Sequence, residues 1–334
     1  MPARKIPADP PNVVLARSLE RALRRVRSEQ TLAADHLAAG PVHDLRVALR
    51  RSRSLAEGFS ELNPHSDWRH LQKACKELLD GLTDLRDSQV REEWARRLGF
   101  DKGALGESLV ESLKDDRHHA RRVARKTLAH FSGKRWKRWR RRLPKRAERI
   151  MSPEAQFARL ALHRLKKARA LENYWRVHKT RQAAHHVRVA LKRFRYTVES
   201  FLPGLSAWSA DLKKLQDFLG DIHDLDVLRQ RVLPLIRAKA GSDEREKWLA
   251  RIEAARSKAV EDYWRAITLK PAVVAQAAHP RTLWDRWEKG LGKIAGVTFP
   301  VLGEPSQTKA TRASRAGRRN SGYRGKPRQL SAIQ

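Results

Sequence analysis

Residues 43–59 read HDLRVALRRSRSLAEGF, and residues 185–201 read HHVRVALKRFRYTVESF. At one constant offset His43/His185, Arg46/Arg188, Val47/Val189, Ala48/Ala190, Leu49/Leu191, Arg51/Arg193, Arg53/Arg195, Glu57/Glu199 and Phe59/Phe201 are identical. Lys192 keeps the charge of Arg50. The same offset reaches back one helix, where Leu23 and Arg27 match Leu165 and Arg169, and Arg24 meets Lys166. A second block follows in the same order: residues 82–90, LTDLRDSQV, parallel residues 219–227, LGDIHDLDV, and Lys76 parallels Lys213. Two blocks repeated in order imply a helical unit present twice.

The repeated stretch is amphipathic. At ~100° per residue, Val187, Ala190, Leu191, Phe194, Val198 and Phe201 share one side of the helix, and His185, Arg188, Lys192 and Arg195 form a stripe on another. In the first copy Leu45, Ala48, Leu49, Ala56 and Phe59 occupy the apolar side. The stripe is expected to project away from the core, so that its removal costs little packing. Steps of three and four residues put neighbouring cations ~5–6 Å apart, a spacing comparable with phosphates along a polymer. Arginine gives bidentate, charge-assisted bonds to phosphate oxygens, and lysine adds a point charge. Glu57 and Glu199 stand four residues after Arg53 and Arg195, placed to hold those guanidiniums. Like charges four apart destabilise a helix. A pattern that carries this cost twice points to a function rather than to a solvated face.

Composition agrees. The 334 residues carry a formal net charge of +35, with 72 Lys and Arg against 37 Asp and Glu, and 40% are hydrophobic. That apolar share is enough for a real core. The charge excess repels itself in a compact state and calls for a polyanionic partner, whether nucleic acid, an anionic membrane surface or polyphosphate. Cys75 is the sole cysteine, which excludes an intrachain disulfide and a multi-cysteine zinc site. No apolar run approaches the about 18 residues of a spanning helix, and the N-terminus has no signal-peptide core. A soluble, cytoplasmic protein is expected.

Periodicity predicts helices over 13–30, 41–61, 66–98, 104–131, 152–177, 182–202, 207–238, 243–268 and 280–294, with no strands. The basic, aromatic stretch 133–151, which contains Pro144, is expected to link a first unit (13–132) to a second (152–294). Residues 1–12 and the acid-poor stretch 295–334 are expected to be disordered, the latter as a cationic tail.

The His43-x-x-Arg46-Val47 motif followed by Arg50, Arg51 and Arg53, its copy at His185, and the paired blocks at 82–90 and 219–227 resemble the CHAD family, the conserved histidine α-helical domain. The resemblance covers about residues 13 to 294. It implies an all-α fold of two pseudo-symmetric four-helix units with basic residues facing a central groove or pore. It also implies binding of inorganic polyphosphate and targeting to polyphosphate granules. Carried onto this sequence, the implied ligands are His43, Arg46, Arg50 and Arg53, then His185, Arg188, Lys192 and Arg195. Arg24, Arg27, Lys166, Arg169, Lys76 and Lys213 form a second tier. One departure is His223, which stands where the first block has Arg86, so the halves need not bind equally. The triphosphate-tunnel domain that often accompanies CHAD has an alternating Glu-x-Glu-x-Lys strand, which this sequence lacks. A stand-alone CHAD protein, not an enzyme and needing no cofactor, is therefore expected.

Other constellations are weaker. The pairs His118-His119 and His185-His186 point ~100° apart on a helix and do not chelate a metal together. Asp84 and Asp87, with Asp221, Asp224 and Asp226, fit a Mg²⁺ site less well than caps or salt bridges to the basic stripe. No Walker A, Gly-x-Ser-x-Gly or Gly-x-Gly-x-x-Gly motif occurs. Trp136 and Trp139 among arginines either stack on bases or dock the linker onto the bundle. The alternatives to polyphosphate binding are non-specific, weak binding of DNA or RNA and, third, a polyphosphate-processing enzyme.

Overall fold

Proline and glycine punctuate the periodic stretches, and between them the chain is helical. The computed structural model describes residues 9–151, 153–269 and 282–296, which belong to one compact unit, Met1–Thr298. Among the described residues there are eleven α-helices and no strand. They are α1 (Pro11–His36), α2 (Ala39–Leu62), α3 (Ser66–Gly81), α4 (Thr83–Arg97), α5 (Gly103–Ala129), α6 (Gly133–Ala147), α7 (Pro153–His178), α8 (Arg181–Phe201), α9 (Ser209–Lys239), α10 (Ser242–Ile267) and α11 (Leu283–Ala295). A 3-10 turn, Pro203–Trp208, leads into α9.

The pairing of elements repeats. α1 packs on α2 and α6, and α7 packs on α8 and α11. α2 meets α3 as α8 meets α9, and α4 meets α5 as α9 meets α10. The single α9 thus does the work of α3 and α4 together. Where one helix was expected over 66–98, the chain breaks at Leu82, beside Gly81. A Cβ on Gly81 would run into the Thr127 side chain of α5, so only glycine lets the end of α3 sit this close.

The stretch 133–151 is not a loose linker. Residues 133–147 form α6, which turns Trp136, Trp139, Leu143 and Ala147 inward, and Pro144 is accommodated near its C-terminal end. The apolar spacing that docks α6 was there to read, but the density of arginine masked it. α11 repeats the device on α7 with Trp284, Trp287 and Leu291. Among the described residues each half accordingly has more than four α-helices: six from α1 to α6, five from α7 to α11. Helix α1 already begins at Pro11, inside the stretch expected to be disordered, with proline at the first helical turn, where its missing N–H costs nothing. The expected cationic tail lies outside the described residues from position 297 onward.

Two apolar clusters join the halves. At one, Phe59 of α2 lies edge-on to Phe157 of α7 and Phe201 of α8, at 5.7 and 5.2 Å, and stacks on Trp68 of α3 at 5.2 Å. Phe157 and Phe201 stack face to face at 3.8 Å. At the other, Trp94, Phe100, Leu105 and Leu109 pack with Leu228, Val232, Ile236 and Trp248, and Phe100 stacks on Trp248 at 4.2 Å. Helices α2 and α8 touch each other, as do α4 and α9.

The start of α8 is fixed by its N-cap. The Thr180 side chain accepts a hydrogen bond from the Ala183 N–H at 3.1 Å, whereas Ala38 gives α2 no side-chain cap. Thr180→Ala is expected to lower stability by about 1 kcal/mol, the usual worth of such a cap. Urea unfolding measures it, and an unchanged midpoint would mean that the cap contributes nothing to stability.

Candidate anion-binding site

Past their exposed histidines, His43 and His185, the stripes are half-buried or buried. Because α2 and α8 pack together with α4 and α9 behind them, the basic residues of both copies are drawn into one cluster. Arg46 is only 5% exposed, and Arg50, Arg188 and Lys192 are half-buried. The expectation that every stripe residue projects freely is therefore wrong for Arg46. Its Nη1 donates to the Leu79 carbonyl and to Thr83 Oγ1, both at 3.1 Å, across the break between α3 and α4. Thr83 in turn donates to the Leu79 carbonyl at 2.7 Å. In the second copy Gly220 stands in the place of Thr83 and offers no hydroxyl. Arg188 accordingly makes no side-chain hydrogen bond or ion pair among the described residues, and its buried Nε is unpartnered. Arg46 is thus partly committed to holding helices together, while its repeat mate is free.

Electrostatics mark the same cluster. Burial, with Arg188, Arg50 and Arg46 close by, pushes the Lys192 ammonium down to about 6. Burial and the neighbouring arginines, Arg50 foremost, push Arg46 down to about 10, with Asp87 opposing. Arg188 is lowered by burial and Arg50, against Asp224 and Asp87. The histidines follow. His43 is lowered by burial and then by Arg86, and His185 by burial and then by Arg188. His223 is pushed down to about 3, mainly by burial and Arg188. The His185 and His223 Nδ1 atoms lie 3.4 Å apart. Burial lifts the Asp224 carboxyl to about 6 even though Arg188 pulls the other way. Among the described residues, Asp87 and Asp224 are the carboxylates that oppose the shifts of Arg46, Arg188 and Lys192, fewer than the cations gathered there.

The second block supplies residues that the sequence reading did not place among the ligands. Arg86 and Asp87 come from α4, His223 and Asp224 from α9. Their signal was in the repeat, where Arg86 aligns with His223 and Asp87 with Asp224. Asp226 instead forms ion pairs with Arg181 and Arg256. Among the described residues no group of three or more His, Cys, Asp or Glu side chains is arranged to hold a metal ion.

Other expected ligands are already occupied. Arg53 Nε donates to Glu57 at 3.0 Å and Arg195 Nε to Glu199 at 2.7 Å, the pairings their spacing predicts. Arg51 reaches Glu199 across the α2–α8 contact at 3.9 Å. The second tier lies elsewhere. Arg24 pairs with Glu20, Lys76 with Asp80 and Lys213 with Asp217, each at 2.6 Å on an exposed face. Arg27 is exposed on α1. Arg169 binds Asp285 and Glu288 of α11 at 2.7 and 2.9 Å, and Lys166 lies 4.0 Å from Glu288. Matching positions in the repeat thus carry these second-tier cations, but the structure does not bring them to the cluster.

A family model described as the CHAD domain matches residues 17–233. Among solved structures, the crystal structure of the CHAD domain from the plant Ricinus communis is similar, at 18% identity and a TM-score of 0.54, over 87% of this chain and 96% of that one. At that identity the likeness speaks to the fold. No curated protein gives a match. Among the described residues no helix is long and apolar enough to cross a membrane.

Proposed function

This chain belongs to the CHAD family, and from that premise we propose that it binds inorganic polyphosphate without turning it over, and through it joins polyphosphate granules. The observation that carries the reading is the cluster itself. Arg50, Arg188 and Lys192, from both copies of the repeat, meet half-buried and without a carboxylate in ion-pairing distance among the described residues. Arg86 and the histidines His43, His185 and His223 surround them. Isolated burial of so many cations is costly. A bound phosphate chain offsets that cost by supplying charge-assisted acceptors where the fold supplies few. Such a chain is thin and carries charge on every unit, which suits a cluster held between packed helices; a duplex is too wide to follow it there.

Direct competition tests the reading. Long-chain polyphosphate should displace a labelled polyphosphate probe at far lower phosphate concentration than duplex DNA does, at physiological salt. Affinity should fall steeply with salt, because neutralising phosphates releases counterions. Incubation with Mg²⁺ should release no orthophosphate. Equal competition by DNA, or steady release of phosphate, would count against a selective, passive binder.

A further inference from the structure

Away from the cluster, the chain carries a second concentration of cations. Helix α6 has 15 residues, about 20 Å at ~1.5 Å per residue. Its inward side is Trp136, Trp139, Leu143 and Ala147. Its outward side carries Lys134, Lys137, Arg138, Arg141, Arg142 and Lys145, all exposed. These six line a cavity of about 850 Å³ whose other wall includes His65 and Asp67 at the start of α3. The Asp67 carboxylate is 3.8 Å from the His65 ring and is the one acid on the lining among the described residues. Among the described residues none of the six cations has an ion-pair or hydrogen-bond partner for its side chain. Lys134 and Arg138, Lys137 and Arg141, Arg138 and Arg142, and Arg141 and Lys145 are like charges four apart, each pair destabilising the helix. Apolar burial on α1 and α3 holds α6 in place against that repulsion.

We infer that this outer face of α6 is a sequence-independent binding surface for the phosphate backbone of double-stranded nucleic acid. Three features select that partner. The face is exposed along its length of about 20 Å at α-helical rise, so a wide, stiff polyanion can lie along it, unlike at the half-buried cluster. The indoles that would stack on unpaired bases are buried, Trp136 at 3% and Trp139 at 1% exposure, so only backbone contact remains. A membrane surface would want apolar side chains beside the cations, and α6 turns its own inward. The inference goes beyond the polyphosphate reading and uses different residues.

The test is made in the full chain with a short labelled duplex of mixed sequence and, separately, labelled long-chain polyphosphate. One variant is K137Q/R138Q/R141Q/R142Q. A second, R312Q/R315Q/R318Q/R319Q, removes the same charge from the C-terminal stretch. Loss of four phosphate contacts should weaken duplex binding roughly tenfold or more at physiological salt and flatten its salt dependence. Polyphosphate affinity should stay within about threefold, since the changed residues are not among those of the central cluster and salt screens the field of exposed charges. The variant R138K/R141K/R142K, which keeps the charge, should bind the duplex nearly as well as the parent, and circular dichroism should show all three folded. Duplex affinity lost equally in the C-terminal variant, or not lost in the α6 variant, would overturn the inference. So would an equal loss of polyphosphate affinity in the α6 variant, which would make the face part of the polyphosphate path. Failure of the polyphosphate reading would appear in a separate measurement, as polyphosphate binding indifferent to changes in the central cluster.

Discussion

The triple variant R50Q/R188Q/K192Q is expected to lose about three orders of magnitude in polyphosphate affinity while remaining folded. Each charge-assisted bond to phosphate contributes about 1.5–3 kcal/mol. Three of them, discounted for shared solvation and for the contacts that remain, leave a loss of about 4 kcal/mol, or roughly a thousandfold in Kd. Arg46 is omitted from the set because its guanidinium ties α2 to Leu79 and Thr83, so its removal would leave buried acceptors unpaired. Arg195 is omitted because Glu199 already holds it. The three chosen groups make no side-chain hydrogen bond or ion pair that would be broken, and their loss relieves mutual repulsion; the buried Asp224 loses the field of Arg188 in exchange, so the melting temperature should change little. The control R312Q/R315Q/R318Q removes the same formal charge outside the described residues. A purely diffuse attraction would treat the two variants alike. Equal affinities, with both proteins folded, would sink the assignment of the site.

The second large effect is on pH dependence. With Lys192 pushed down to about 6, the ligand-free protein holds this lysine largely neutral at pH 7. A bound polyanion favours the ammonium and raises its pKa, so binding takes up a proton. The lowered histidines His43, His185 and His223 move in the same direction. Affinity should therefore rise as pH falls from about 8 to about 6, by up to roughly tenfold per pH unit for each proton taken up. Calorimetry in buffers of different ionisation enthalpy reads the proton directly. K192R, which stays charged throughout, should bind polyphosphate with a flatter profile. A parent affinity that does not change over this range would contradict a neutral Lys192 in the free site. For the ligand-free fold the sign is opposite to that of a paired lysine. Between about 6 and the ordinary 10.5 the unfolded chain binds the extra proton, so this group favours the folded state more as pH rises.

Much of this was legible from the chain alone, because the repeat and the helical period are local signals. The His43 and His185 motifs placed both stripe helices within a few residues of α2 and α8. The Arg53–Glu57 and Arg195–Glu199 pairs followed from spacing of four. What periodicity cannot say is which elements press on a stripe. The wheel separates Arg46 from Phe59, yet α3 and α4 close over Arg46, and a polar face became a buried one. The difference between Arg46 and Arg188 depends on Thr83 against Gly220, a substitution in another helix that reads as neutral in sequence. Helix α6 was missed for the reverse reason. Its apolar stripe is four residues wide and sits in a run of arginine and lysine, so composition spoke louder than period.

The aromatic junction has a bearing on what may be cut. Phe59, Phe157 and Phe201 come from α2, α7 and α8, and all three are fully enclosed. Phe100 of the first half and Trp248 of the second make a similar closure at the other cluster. Neither half owns its interior. A fragment ending near Met151 would uncover Phe59, and its complement would uncover the Phe157–Phe201 pair, surfaces that favour aggregation over independent folding. The repeat is therefore a unit of sequence and not of autonomy. Truncated versions designed by the boundary between copies would report on stickiness, whereas those keeping 11–296 whole retain a closed interior.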